Sequence, residues 1–251
     1  MNATTQRLCA WCGIAFMVML LIGVVVAGFL PPPSPGLSAN AIANLFAEHR
    51  TRIRIGLIVM IFGCALLFPY SVAIAVQLRR VEGEFSPMAW TELLAGGCST
   101  LLFLVPQLIL QTATFRDYSP QIVQVLDDLG WIAIVSAVSF ALIQNLAIAI
   151  AVLRDHRAQP IYPRWVGYLN IWAAIIFCGG TVAVFFKSGP FAWRGLFAWW
   201  LPLSVFGLWF LVMVVTTVQA INRQEVEHAA EHGGAAVAAP VESAALTPTV
   251  R

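Results

Sequence analysis

The sequence predicts an all-α protein, a polytopic transmembrane bundle of six helices with two short interfacial helices. Three observations carry that prediction. Six apolar runs divide the chain, and each has the roughly 20 residues a helix needs to cross a hydrocarbon core about 30 Å thick. Apolar residues make up 60% of the chain and charged residues 10%, whereas soluble domains carry about 25% charge. Mean hydropathy is +0.83, and a soluble surface built from such a chain would expose large apolar patches.

The first run, at about 8–30, follows Arg7 and ends at Pro31-Pro32-Pro33. It is longer than the apolar region of a signal peptide, about 7–15 residues, so a retained spanning helix is expected. The Pro-rich segment after it cannot be helix, because proline lacks the backbone donor and clashes with the preceding turn. Ser38 then has the character of an N-cap. Ile42, Leu45 and Phe46 fall on one helical face, which predicts a short helix lying at the interface. Arg50, Arg52 and Arg54 lead into the second run, at about 53–78.

Ser86-Pro87 introduces the third run, about 91–113, with proline at the first helical position where its missing donor costs nothing. Ser119-Pro120 repeats the device and opens a second amphipathic segment, with Ile122, Val123, Leu126 and Leu129 apolar. The remaining runs lie at about 131–153, 165–186 and 196–221. Trp90, Trp131, Trp165 and Trp193 stand near run ends, a position that suits tryptophan at headgroup depth. Pro69, Pro106 and Pro202 sit inside the second, third and sixth runs, where each should bend its helix. Residues 1–223 thus form one transmembrane domain, and 224–251, rich in alanine and glycine, read as a disordered tail.

Flanking basic residues are nearly balanced between the two faces. Arg7, Arg79, Arg80, Arg154, Arg157, Arg164 and Arg223 share one face; Arg50, Arg52, Arg54, Arg116, Lys187 and Arg194 share the other. The tight clustering in the second and fourth loops favours a multi-pass protein of the inner (plasma) membrane with both termini cytoplasmic.

Several chemistries are not expected. His49, His156, His228 and His232 lie in loops or the tail, whereas a bis-imidazole haem in a membrane needs histidines within spanning helices. Metal and other cofactors are not expected, since no ligand cluster sits within the runs. His228-Ala-Ala-Glu231-His232 fits a zinc-peptidase pattern, but an Ala/Gly-rich tail offers no apolar face to dry the site. Cys64, Cys98 and Cys178 act as small apolar residues. Cys9 and Cys12 form a CxxC pair without a partner dithiol, which reads as coincidence. The net charge of +2 gives no reason to expect nucleic acid.

Polar residues inside the runs are costly in lipid and therefore informative. Glu92, Gln107 and Gln111 lie in the third run, Gln144 and Asn145 in the fourth, and Asn170 in the fifth. Two readings stay open: interhelical hydrogen bonds that orient the bundle, or a polar strip along a substrate route. For Glu92 an acid in the first turn also complements the helix dipole. Arg116, Asp117, Tyr118, Asp127, Asp128 and Lys187 form a second candidate set at the outer face, as loop-pinning ion pairs or a headgroup site.

The stretches LDDLGW (126–131), PRWVGYLNIW (163–172) and FFKSGPFAW (185–193) resemble an uncharacterised family of bacterial, chiefly actinobacterial, six-helix integral membrane proteins. The resemblance covers the six helices and omits the tail. It implies the architecture and brings no activity. Three functions follow in order of expectation: binding or permeation of a small apolar or amphipathic molecule; an accessory or structural subunit of a membrane enzyme or transporter; a membrane-embedded enzyme acting on lipid through Glu92, Asp127 or Asp128. The expected partners are the lipid bilayer and a hydrophobic ligand or another membrane subunit.

Overall fold

A computed structural model describes residues 2–237, with side chains through Ala230. Among these residues are nine α-helices and two irregular helical segments, and all but one short helix build six elements long and apolar enough to span a membrane. The chain is all-α, a multi-pass membrane bundle.

Helix α1 (Ala3–Ala27) begins where the Asn2 side chain accepts from Thr5 N at 3.0 Å, and ends at Gly28 with φ 76°. The left-handed C-cap explains why the helix stops before the prolines. Ser38 caps α2 (Ala39–Glu48), accepting from Ala41 N, and Ile42 and Phe46 are its buried face. A short helix is present where one was expected after Ser38, and its apolar face packs on the cluster around Phe29 and Trp131.

The second span is α3 (Arg50–Cys64) followed by α4 (Leu67–Glu82). The interruption at Ala65 and Leu66 lies at the carbonyl that Pro69 leaves without a donor, four residues back. The arginines opening α3 complete other helix ends. Arg52 Nε donates to Val26 O at 3.2 Å, and Arg54 donates to Thr114 O, Thr114 Oγ1 and Phe115 O at the end of α5 (Pro87–Ala113). Arg50 pairs with Asp117. Carbonyls left over at a helix C-terminus need such donors, so these charges serve packing as well as orientation.

Pro87 starts α5 as expected, but Ser86 does not cap it: its hydroxyl donates to Gly83 O. Glu82 caps instead, its carboxylate accepting from Met88 N at 3.2 Å and Ala89 N at 2.9 Å. Glu82→Ala is expected to cost about 1 kcal/mol, read as a lower melting temperature in detergent; an unchanged melt would remove Glu82 from the capping role. The helix runs unbroken past Pro106.

The fourth span corrects the sequence reading. Ser119-Pro120 opens α6 (Pro120–Ser136), which continues through Trp131, so the second short interfacial helix is the first part of a spanning one. The break falls later, at Ala137 and Val138, before α7 (Ser139–Leu153). Its cause is tertiary. Gly180 packs so close to the Val135 carbonyl that a Cβ there would overlap the oxygen, and Ser136 Oγ donates to Gly180 O at 3.4 Å.

The fifth span joins α8 (Arg164–Phe177) to a 3₁₀ segment, Cys178–Phe185. The sixth begins with a π turn, Leu196–Trp200, just before Pro202, and continues as α9 (Leu201–Val237). The irregular segments pack together, since a Cβ on Gly179 would come 2.7 Å from Phe197 O. Helix α9 extends beyond Arg223, where the tail was expected to begin. Glu225 pairs with Arg7 and Glu227 with Arg80, while Gln77 Nε2 donates to Gln6 and Gln224. Those contacts hold the start of the expected tail on the bundle; residues 238–251 lie outside the described residues.

Helix α1 packs on α3, α4 and α9, and α5 on α3, α4, α6 and α7. Two buried clusters result. One gathers Phe16, Tyr70, Trp209 and Phe210, the other Phe29, Phe46, Trp131 and Trp199. Trp131 and Trp193, expected at headgroup depth, are buried in protein because their indole donors find Asp127 and Pro33 O. Trp90 and Trp165 are exposed.

Candidate functional site

Between the two clusters lies a cavity of about 390 Å³. Helix α1 contributes Met17, Leu20 and Leu21, α3 contributes Leu57 and Met60, and α4 contributes Leu67, Tyr70 and Ser71. Helix α5 presents Gly96, Ser99, Phe103, Gln107 and Leu110. These positions recur every three or four residues and so lie on one stripe of the helix. Opposite stand Ala141, Gln144 and Asn145 of α7 with Trp199, Phe206, Trp209 and Phe210 of the sixth span. Leu21 and Leu30 belong to the wall and are also exposed, so the wall reaches the flank of the bundle there.

The irregular backbone surrounds this space. Val135, Ala137 and Val138 at the α6–α7 break, Ala198 and Trp199 in the π turn, and Pro202 all line it. Non-helical backbone at membrane depth is tolerated where protein or a cavity surrounds it.

The wall is mainly aromatic and aliphatic, with a few polar groups at one side. Gln144 Nε2 donates to Glu92 Oε1 at 3.0 Å, and Asn145 Nδ2 to Ala141 O at 2.7 Å. Three residues of the wall carry a buried polar atom with no partner: Tyr70 Oη, Asn145 Oδ1 and Trp199 Nε1. Glu92, fully buried, leaves Oε2 unpartnered as well. An unsatisfied buried donor or acceptor costs about 1–3 kcal/mol, and native structures keep few of them.

The candidates from the sequence divide. Gln107, Gln144 and Asn145 line the cavity, and Glu92 touches its wall through Gln144. Gln107 Oε1 accepts weakly from Cys64 Sγ at 3.8 Å. Gln111 and Asn170 are not part of the wall. Asn170 joins α8 to α9, accepting from Trp209 Nε1 at 2.8 Å while its amide donates to Val166 O. Tyr70, Ser71, Ser99 and Trp199 were missed. The stripe of small and polar residues spaced by three and four along α5 was the signal that pointed to the cavity face.

The outer-face set does not converge on one site. Asp117 holds Arg50, and the Arg116 guanidinium lies 5.4 Å from the Phe115 ring centroid. Tyr118 packs on the cluster around Phe46, and Lys187 is exposed. Asp127 turns inward, accepting from Trp131 Nε1 at 2.9 Å, while Asp128 is half-buried. The pairing of Asp127 with an indole on its own helix leaves it a structural role.

On the terminal face, Tyr162 in the loop between α7 and α8 is buried and shares a hydrogen bond of 3.0 Å with Thr217. Burial pushes its phenol above the ordinary range, against the pull of Thr217, and the Glu92 carboxylate adds to the rise. His228 and Glu231 lie on α9, and the Glu231 and His232 side chains fall outside the described residues. Among the described residues no group of three or more His, Cys, Asp or Glu could hold a metal ion. No family model matches the chain, and no curated protein or solved structure is significantly similar to it.

Proposed function

We propose that this membrane bundle binds or passes a small apolar or amphipathic molecule through the cavity between its two clusters. The observation that carries the reading is the wall itself: a space of about 390 Å³, mainly aromatic, with unpartnered polar atoms on Tyr70, Asn145 and Trp199. Ligand sites have this composition, an apolar enclosure with a few convergent polar groups. Exposure of Leu21 and Leu30 on the flank supports entry from the lipid. The protein sits in the inner membrane with both termini cytoplasmic, a placement supported by the basic residues around Arg79, Arg80, Arg154 and Arg157. Its kinship is with the bacterial family sharing the LDDLGW, PRWVGYLNIW and FFKSGPFAW stretches.

The test uses 1-pyrenebutanol, a neutral amphiphile, and protein in lipid nanodiscs with protein-free discs as reference. Binding is read as energy transfer from tryptophan to pyrene, because Trp131, Trp199 and Trp209 line the cavity. Ala141→Phe places a ring in that space and is expected to weaken binding by about tenfold or more. Unchanged affinity in a folded variant would place the probe elsewhere and reject the cavity as its site. Cysteines introduced near each terminus should be labelled by impermeant reagents only from the cytoplasmic side.

A further inference from the structure

The stripe of α5 that faces the cavity does not stop at Gly96. Glu92 stands one turn earlier on the same stripe, fully buried, one carboxylate oxygen on Gln144 and the other without a partner. Gln144 lines the cavity, so a single amide joins the carboxylate to its wall. Gly96 permits this arrangement, since a Cβ there would come 2.9 Å from Ser71 Cβ and 2.5 Å from Gln144 Nε2.

Among the described residues no cation is hydrogen-bonded to Glu92 or paired with it. Each neighbouring element accounts for its own charges. Helix α4 offers Tyr70, and its end charges are engaged elsewhere: Glu82 on Met88 and Ala89, Arg79 over Trp90, and Arg80 on Glu227, Gln77 and Ala220 O. Helix α7 offers uncharged Gln144, and the loop after it offers Tyr162. Arg54 of α3 and Asp127 of α6 are occupied toward the opposite end, on Thr114 and Trp131.

A carboxylate buried at membrane depth without a counter-charge is costly, and such residues mark ligand or ion routes. Asn145 Oδ1, an unpartnered acceptor of the wall, also calls for a donor. Tyr70, Phe103 and Trp209 also line the cavity, and aromatic rings attract cations. We propose that the ligand is a lipophilic amine, one ammonium group on an apolar body, with Glu92 as its counter-ion and Gln144 and Asn145 beside the head. The proposal rests on the cavity being a binding site.

The experiment compares 1-pyrenebutylamine with 1-pyrenebutanol, which share an apolar body and differ in the charge of the head. The amine should bind wild-type protein at least about tenfold more tightly. Glu92→Gln should remove that preference, bringing the amine's affinity to that of the alcohol in the same variant, and an unchanged tryptophan emission spectrum reports that the variant is folded. Equal affinities of amine and alcohol for the wild type overturn the amine assignment and leave the cavity reading standing, and this comparison needs no variant. A preference that survives Glu92→Gln overturns the role of Glu92. Failure of both probes to bind removes the cavity reading and the assignment with it.

Discussion

Gly56→Val is expected to destroy the crossing of α1 and α3 and, with it, the folded bundle. Gly23 and Gly56 meet there backbone to backbone. A Cβ on Gly56 would lie 2.7 Å from Ala27 N and 2.8 Å from Ala27 Cβ, and would overlap the Gly23 carbonyl; one on Gly23 would lie 2.6 Å from Gly56 O. Main-chain atoms within helices cannot rotate out of the way. Overpacking in a core costs about 1–3 kcal/mol and sometimes more. In lipid the loss weighs heavily, because close packing rather than hydrophobic exclusion holds spanning helices together. A loss of about 3 kcal/mol or more is expected, seen as a large fall in melting temperature or aggregation on extraction. Gly97→Ala is the control: its Cβ would meet Phe68 at an ordinary 3.7 Å, and its stability should stay close to wild type. Equal melting of Gly56→Val and Gly97→Ala would contradict the crossing.

Asn170→Ala should destabilise the protein by about 1–3 kcal/mol and weaken binding of 1-pyrenebutanol less than Asn145→Ala does, since it reaches the wall only through Trp209. The substitution strips Trp209 Nε1 of its acceptor and leaves a buried donor unsatisfied between α8 and α9. Neither Asn170 nor the hydrogen bond it makes to Val166 O belongs to the cavity wall. Asn145→Ala is expected to do the reverse. Its Oδ1 has no partner to lose, so stability should change little while ligand affinity shifts. A double-mutant cycle of Asn170→Ala with Trp209→Phe should return a coupling of about 1 kcal/mol. Zero coupling would remove Asn170 from the interhelical role, and a loss of probe binding as large as that of Asn145→Ala would return it to the ligand route.

The two asparagines show how far a sequence carries the site. Both sit in apolar runs, and nothing local separates them. Asn170 finds an indole across a helix interface, whereas Asn145 finds only a carbonyl of its own helix. The difference depends on which helix faces which. The same limit applies to Asp127 and Trp131. A tryptophan near a run end belongs at headgroup depth by composition, yet an acid four residues earlier on the same helix gave it a partner that allowed burial.

Helix breaks divide in the same way. The gap before Pro69 and the π turn before Pro202 follow from missing donors that can be read residue by residue. The break at Ala137 and Val138 has no proline; it comes from Gly180, distant in sequence, pressing on the Val135 carbonyl.

By itself the order of residues determined the six long apolar helices, the short helix after Ser38 and the polar residues worth asking about. Run length against bilayer thickness and the cost of bare amides in lipid are local constraints, satisfied within each segment. Only the tertiary structure decided where the cavity lies, which polar side chains pair across helices, and that Glu92 stands beside Gln144 without a cation. Those outcomes depend on the rotation of each helix about its axis, which contacts between neighbours set.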